Sequence, residues 1–262
     1  MKFSRLFAFL IVFAIAQNLL AQDDSQPKPK RQYFTQKIEG QSPIIDGIFD
    51  EKCWNQVQWT GDYIGYQPFE GQEPSQQTAF KILYDDKNLF LAFQCYDKEP
   101  EKIVDRMSRR DGFPGDWVEI NIDSYHDLRT AFSFTISVSG VKGDEFISND
   151  GNNWDTNWNP IWYAKTSQDS LGWKAEVRIP FSQLRFGNQE NQVWGIQSTR
   201  RDFRQEERSV WQPISLNSPG WVSRFGELHG LKNIIPQKQV EIQPYILAQA
   251  ETFEKIEGNS LV

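Results

Sequence analysis

From Tyr33 onward, apolar and polar residues alternate along the chain with a period of two, the signature of strands that turn one face to a core. In "WVEINID" (117–123), Val118, Ile120 and Ile122 share one face, while Trp117, Glu119, Asn121 and Asp123 share the other. "AFSFTISV" (131–138) sets Phe132, Phe134, Ile136 and Val138 against Ser133, Thr135 and Ser137. "WKAEVRI" (173–179) sets Trp173, Ala175, Val177 and Ile179 against Lys174, Glu176 and Arg178. "AFKILY" (79–84), "LFLAFQCYD" (89–97), "IWYAKTS" (161–167) and "VWGIQSTRR" (193–201) are further strand candidates. "YDDKN" and "QDSLG" between them carry turn chemistry, because Asp, Asn and Gly tolerate turn conformations. No long helical periodicity intervenes, so the pattern predicts an all-β chain folded as an antiparallel β-sandwich.

The flanks follow other patterns. Lys2 and Arg5 precede an apolar run from Leu6 to Ala16 and then small or polar residues, which predicts a secretory signal peptide over residues 1–21. That run is too short to cross about 30 Å of hydrocarbon as a helix. Residues 22–32, "QDDSQPKPKRQ", are polar and aperiodic and are expected to be a flexible leader; the sandwich is placed at 33–232. After a Pro-containing break, "QVEIQPYILAQAETFEK" alternates again, and residues 239–262 are expected to begin a second, amphipathic β domain. The chain is therefore expected to be exported.

Charge removes some functions. The formal net charge of −7 gives no electrostatic ground for binding nucleic acid or an anionic membrane surface. Ten Trp, eight Tyr and nineteen Phe exceed what a core of this size requires, so some are expected to face solvent or a ligand. His126 and His229 lie far apart and in no metal-binding spacing. No nucleophile elbow, phosphate loop or dinucleotide fingerprint occurs. A glycosidase needs two carboxylates about 5 to 10 Å apart, whereas Glu119 and Asp123 are separated by about 13 Å along one strand. The charged run "RRDFRQEER" (200–208) reads as a solvated hairpin end.

Cys53 and Cys95 are a candidate disulfide, permitted by export, or two buried free thiols; the sequence leaves both open. In "PIIDGIFDEKCW" (43–54), Asp46-Gly47 is turn chemistry. Asp50 is expected to cap a short helix that brings Trp54 inward. Asp46, Asp50 and Glu51 supply two or three oxygens toward calcium, which needs 6 to 8. The cluster Trp154, Trp158 and Trp162 either faces a ligand or packs over an open end of the sandwich.

Five segments together, "PIIDGIFDEKCW", "ILYDDKNLFLAFQCYD", "DWVEINIDSY", "GWKAEVRIPFSQL" and "FGELHGL", resemble in order the family 9 carbohydrate-binding module, a jelly-roll-like β-sandwich often attached to glycoside hydrolases. More narrowly, "IDSYHDLRTAFSFTISVSGVKGDE", "WDTNWNPIW", "IPFSQLRF" and "VEIQPYILAQ" resemble a family of Gram-negative exported proteins in which such a module precedes an outer-membrane β-barrel. The first resemblance implies a sugar held between two aromatic rings with a Glu, an Arg and an Asn. Glu119 falls on the matching Glu, Trp221 near one ring and Asn217 near the Asn. Phe113 falls near the other ring, where the family has Trp, with Trp117 as a substitute. No Arg occupies the matching place on "AFSFTI", and Arg129 just before it is the stand-in.

The resemblance implies binding of a xylan- or glucan-like poly- or oligosaccharide, without catalysis by this chain, in carbohydrate catabolism at the periplasm, outer membrane or cell surface. Two alternatives stand beside it: a cap or interaction domain of an outer-membrane barrel with a vestigial sugar site, and part of a glycoside hydrolase acting on O-glycosyl bonds.

Overall fold

The computed structural model describes residues 29–236 together with 247 and 248. The signal peptide, most of the leader and nearly all of 239–262 lie outside the described residues. Thirteen strands form, namely β1 (Gln32–Phe34), β2 (Ile64–Gln67), β3 (Thr78–Tyr84), β4 (Asn88–Tyr96), β5 (Trp117–Asp123), β6 (Ala131–Ser137), β7 (Lys142–Ser148), β8 (Asn153–Asp155), β9 (Tyr163–Asp169), β10 (Gly172–Pro180), β11 (Asn191–Asp202), β12 (Glu207–Val210) and β13 (Gly226–Lys232). They make two sheets. One has four strands in the order β3-β4-β10-β9; the other has nine, ordered β1-β13-β11-β5-β6-β7-β8, with β12 added to β11 and β2 to β12. Only the β1–β13 pair is parallel among these ladders.

All seven strands expected from alternation are present, β5 with the expected bounds and the other six with shifted ends. The apolar faces meet between the sheets: Val118, Ile120 and Ile122 with Phe132, Phe134 and Ile136 on one side, and Phe80, Ile82, Leu91, Phe93, Ala175 and Val177 on the other. The opposite face of β5 is not a solvent face, for Glu119, Asn121 and Asp123 are all buried. The second face of the four-stranded sheet is also covered. Trp54, Cys53 and Val57 pack there on Leu83, Phe90 and Ala92.

That second layer explains "PIIDGIFDEKCW". Gly47 takes φ +90°, and a Cβ there would lie 3.0 Å from the Thr166 carbonyl carbon and 3.2 Å from the Ser167 nitrogen, a conformation and an approach that favour glycine. The buried Glu176 carboxylate accepts the backbone N–H groups of Asp46 (3.0 Å) and Gly47 (2.9 Å) and the Trp54 indole N–H (3.1 Å). Burial pushes the Glu176 carboxyl up to about 7, against those three donors. The expected cap by Asp50 does not form. Glu51 stands at the start of the short helix Lys52–Gln56 without capping it through its side chain, and its carboxylate accepts the Ile44 N–H at 2.7 Å instead. Among the described residues, no group of three or more His, Cys, Asp or Glu is arranged to hold a metal ion.

The disulfide alternative is corrected: Cys53 and Cys95 are free, buried thiols. Cys95 faces the core between the sheets, Cys53 lies on the other side of the four-stranded sheet, and the sheet itself separates them. Burial pushes the Cys95 thiol up to about 12, far from a reactive thiolate. A thiol-reactive dye is accordingly expected to find two thiols per chain only after denaturation, and reductant to leave the melting temperature unchanged. Slow native labelling of neither thiol together with none after denaturation would restore the bridge.

The run "RRDFRQEER" is corrected as well. It closes a hairpin between β11 and β12, but Arg200 and Asp202 are buried. Arg200 donates to Asp116 (3.3 Å) and to the Tyr96 carbonyl (2.9 Å).

Candidate functional site

A cleft of about 480 Å³ opens on the outer face of the nine-stranded sheet. Strand register builds its floor. Thr199 of β11, Glu119 of β5, Thr135 of β6 and Gly143 of β7 stand side by side in one row, and in a sheet such neighbours project to the same face. Gly143 leaves room for a ring: a Cβ there would lie 2.5 Å from Phe113 Cζ. Phe113 in turn meets Trp117 at 6.3 Å between centroids. Trp221 and Tyr66 form a second aromatic wall, 5.6 Å apart, and Trp154 also lines the cleft.

Both indole walls are fixed in place. The Trp221 indole N–H donates to Asn121 Oδ1 at 2.9 Å, the ring sits edge-on to Phe225, and Gly151 leaves room for the Trp221 side chain, whose Cβ would lie 2.5 Å from a Cβ at 151. The Arg208 guanidinium lies 5.5 Å from the Trp117 ring centroid, a cation–π distance. Among the described residues Arg208 makes no ion pair.

The floor is acidic and poorly solvated. Among the described residues Glu119 accepts one side-chain hydrogen bond within 3.5 Å, from Thr135 Oγ1 at 3.2 Å, and burial pushes its carboxyl above the usual range. Glu145 is pushed up to about 7, first by burial and then by the charges of Glu119, Asp111 and Asp144. Asp144 is engaged elsewhere, by Arg110 and by the Trp162 indole N–H at 2.7 Å. Thr199 Oγ1 is buried and has no partner among the described residues.

Four residues expected from the sequence thus converge: Glu119, Trp221, Phe113 and Trp117. Two do not. Asn217 is exposed in a turn after Ser215, and Arg129 is exposed in the Asp127 turn; neither lines the cleft. Arg208 is the arginine that does, from inside the run read as a solvated hairpin end. Asp111, Glu145, Tyr66 and Thr199 were also beyond the sequence reading, because each reaches the cleft through strand pairing or a loop remote in sequence. The tryptophan cluster divides: Trp154 lines the cleft, Trp158 packs on Phe132 and Phe134, and Trp162 is buried in the core.

A family model described as "Carbohydrate family 9 binding domain-like" matches residues 45–223. No curated protein matches the chain significantly. Among solved structures, a family 9 carbohydrate-binding module from Caldicellulosiruptor kristjanssonii in complex with cellotriose superposes with a TM-score of 0.57 at 22% identity, over 82% of this chain and 100% of that one. The module from that organism in complex with glucose gives 0.56 at 20% identity, with the same coverage. A protein from Bacteroides uniformis, described as a candidate carbohydrate-binding protein, gives 0.60 at 14% identity, over 78% of this chain and 100% of its own. At these identities the likeness is one of fold.

Proposed function

Because the chain belongs to the carbohydrate family 9 binding domain-like family, we propose that its cleft holds a glucan- or xylan-like poly- or oligosaccharide by aromatic stacking and carboxylate hydrogen bonds. The observation that carries this reading is the pairing of two aromatic walls, Phe113 with Trp117 and Tyr66 with Trp221, above a floor of Glu119 and Thr199. A sugar ring has apolar C–H faces that suit aromatic walls, and hydroxyls that need charged or polar partners. Glu119 accepts hydroxyl protons, Arg208 donates, and Thr199 Oγ1 gains the partner it otherwise lacks. A buried polar atom without a partner costs about 1–3 kcal/mol, so satisfying it favours a hydroxylated ligand over an apolar one. The complexes of the C. kristjanssonii modules support a glucan as the first ligand to try.

The same proposal places the domain outside the cytoplasm, in carbohydrate catabolism at the periplasm, outer membrane or cell surface. It rests on the charge, apolar run and small residues of 1–21 and on the alternation in 239–262.

Calorimetric titration with cellotriose tests the binding. Saturable heat is expected, with at least a tenfold loss of affinity in Trp117→Ala and in Trp221→Ala, thermal melts confirming that each variant folds. No heat with glucans, xylans or their oligomers would overturn the proposal.

A further inference from the structure

A second cleft, of about 500 Å³, opens where the residue 43–45 loop passes the edge strand β9 and the start of β7. Its chemistry is the reverse of the first. Three cations line it, Lys142, Lys165 and Arg178, and no carboxylate does. Among the described residues none of the three makes an ion pair. The nearby acids are committed elsewhere. Glu176, the register neighbour of Lys165, accepts the Asp46, Gly47 and Trp54 N–H groups, and Asp144 is held by Arg110 and Trp162. In a chain of net charge −7, this pocket of uncompensated positive charge is an attractive field for an anion.

The cations are also oriented. The Arg178 guanidinium lies over the Tyr163 ring at 4.1 Å, which fixes its plane, and its Nε is buried without a partner among the described residues. The Lys142 ammonium donates to the Trp162 carbonyl at 2.8 Å and stands 5.0 Å from the indole centroid. Beside them are apolar surfaces open to solvent, Tyr163 at 45% and Ile44 at 62% exposure. Bare inorganic anions have no use for such a wall. A ring bearing an anion has.

We propose that this cleft is a second binding site, for an anionic sugar whose carboxylate, sulfate or phosphate group meets Lys142, Lys165 and Arg178 while its ring lies along Ile44 and Tyr163. Nothing in it depends on the first cleft being occupied. No residue lines both clefts, which adjoin at Lys142–Gly143 of β7 and at the Asp144–Trp162 contact, so they can be tested apart through Lys165 and Arg178.

The test is titration of the folded protein, followed by NMR or calorimetry at low ionic strength, with glucuronic acid, glucose 6-sulfate, glucose 6-phosphate, glucose and inorganic sulfate. At least one of the three anionic sugars is expected to saturate the site, and which one distinguishes a uronate from an ester. Lys165→Ala and Arg178→Ala are expected to weaken that binding at least tenfold and to leave the cellotriose titration unchanged. Lys165 is exposed, so its variant stays readable even where Arg178→Ala fails to fold. Absence of binding by all three anionic sugars would overturn the proposal, as would binding unaltered in Lys165→Ala, glucose binding that Lys165→Ala weakens to the same degree, or inorganic sulfate as tight as any sugar.

Discussion

Replacing Arg200 by Met is expected to lower the stability of the domain by about 3–5 kcal/mol, the usual result of removing one partner of a buried ion pair. Arg200 is 1% exposed and Asp116 also 1%. The guanidinium leaves β11 at one end of the sandwich and donates to Asp116 and to the Tyr96 carbonyl of β4, so it ties the nine-stranded sheet to the four-stranded one. Burial pushes the Asp116 carboxyl up, and Arg200 with the Phe203 N–H (3.0 Å) pulls it back. Without Arg200, that carboxylate is buried with one backbone donor and, among the described residues, no cation. Urea unfolding at neutral pH measures the loss, and Arg200→Met combined with Asp116→Asn is expected to recover part of it, because the stranded charge goes too. A loss under about 1 kcal/mol for the single variant would reduce the pair to the worth of a surface contact.

Arg200 also shows where a sequence stops being readable. Alternation is a local signal, and it found β5, β6 and β10 because their apolar faces repeat within seven or eight residues. It found nothing at β7, "KGDEFIS", where Lys142, Gly143, Asp144 and Glu145 interrupt the apolar face to line two clefts and receive the Phe113 ring. Charge runs are ambiguous for a related reason. "RRDFRQEER" is polar but for Phe203, yet Arg200 is buried, Arg204 pairs with Asp97 at 2.8 Å, and Arg208 reaches the cleft. Only the fold supplies their partners, 84 to 107 residues away for the first two.

The candidate site divided in the same way. Glu119 and Trp117 lie on one strand, and their shared face was evident from period two. Phe113 and Trp221 rest on loops, and it was the resemblance of the surrounding segments that pointed to them. Asn217 and Arg129, to which the same resemblance points, lie outside the cleft, since a turn of two residues is enough to redirect a loop side chain. The arginine that lines the cleft, Arg208, arrives instead on β12, a strand too short and too polar to announce itself.

Glu119→Gln is expected to separate binding from stability. A hydrogen bond to a charged group is worth about 1.5–3 kcal/mol, so loss of the carboxylate is expected to weaken cellotriose binding roughly 10- to 150-fold, at 1.4 kcal/mol per factor of ten. The fold, by contrast, gains nothing from that charge. Glu119 is buried with Thr135 Oγ1 as its donor and with the Glu145 carboxylate acting against it. Its folded pKa is raised, so its neutral form stabilises the fold below the ordinary carboxylate range, and that contribution is lost as pH rises through the raised value. Glutamine carries no such loss. The variant is therefore expected to melt no lower than the natural protein at pH 8, with its relative advantage shrinking as pH falls toward 4; its affinity is expected to be reduced at pH 8, and the gap to close toward pH 4, where the natural Glu119 is itself neutral. Parallel losses of melting temperature and affinity would instead make Glu119 a structural carboxylate and leave Arg208 and Glu145 to meet the sugar hydroxyls.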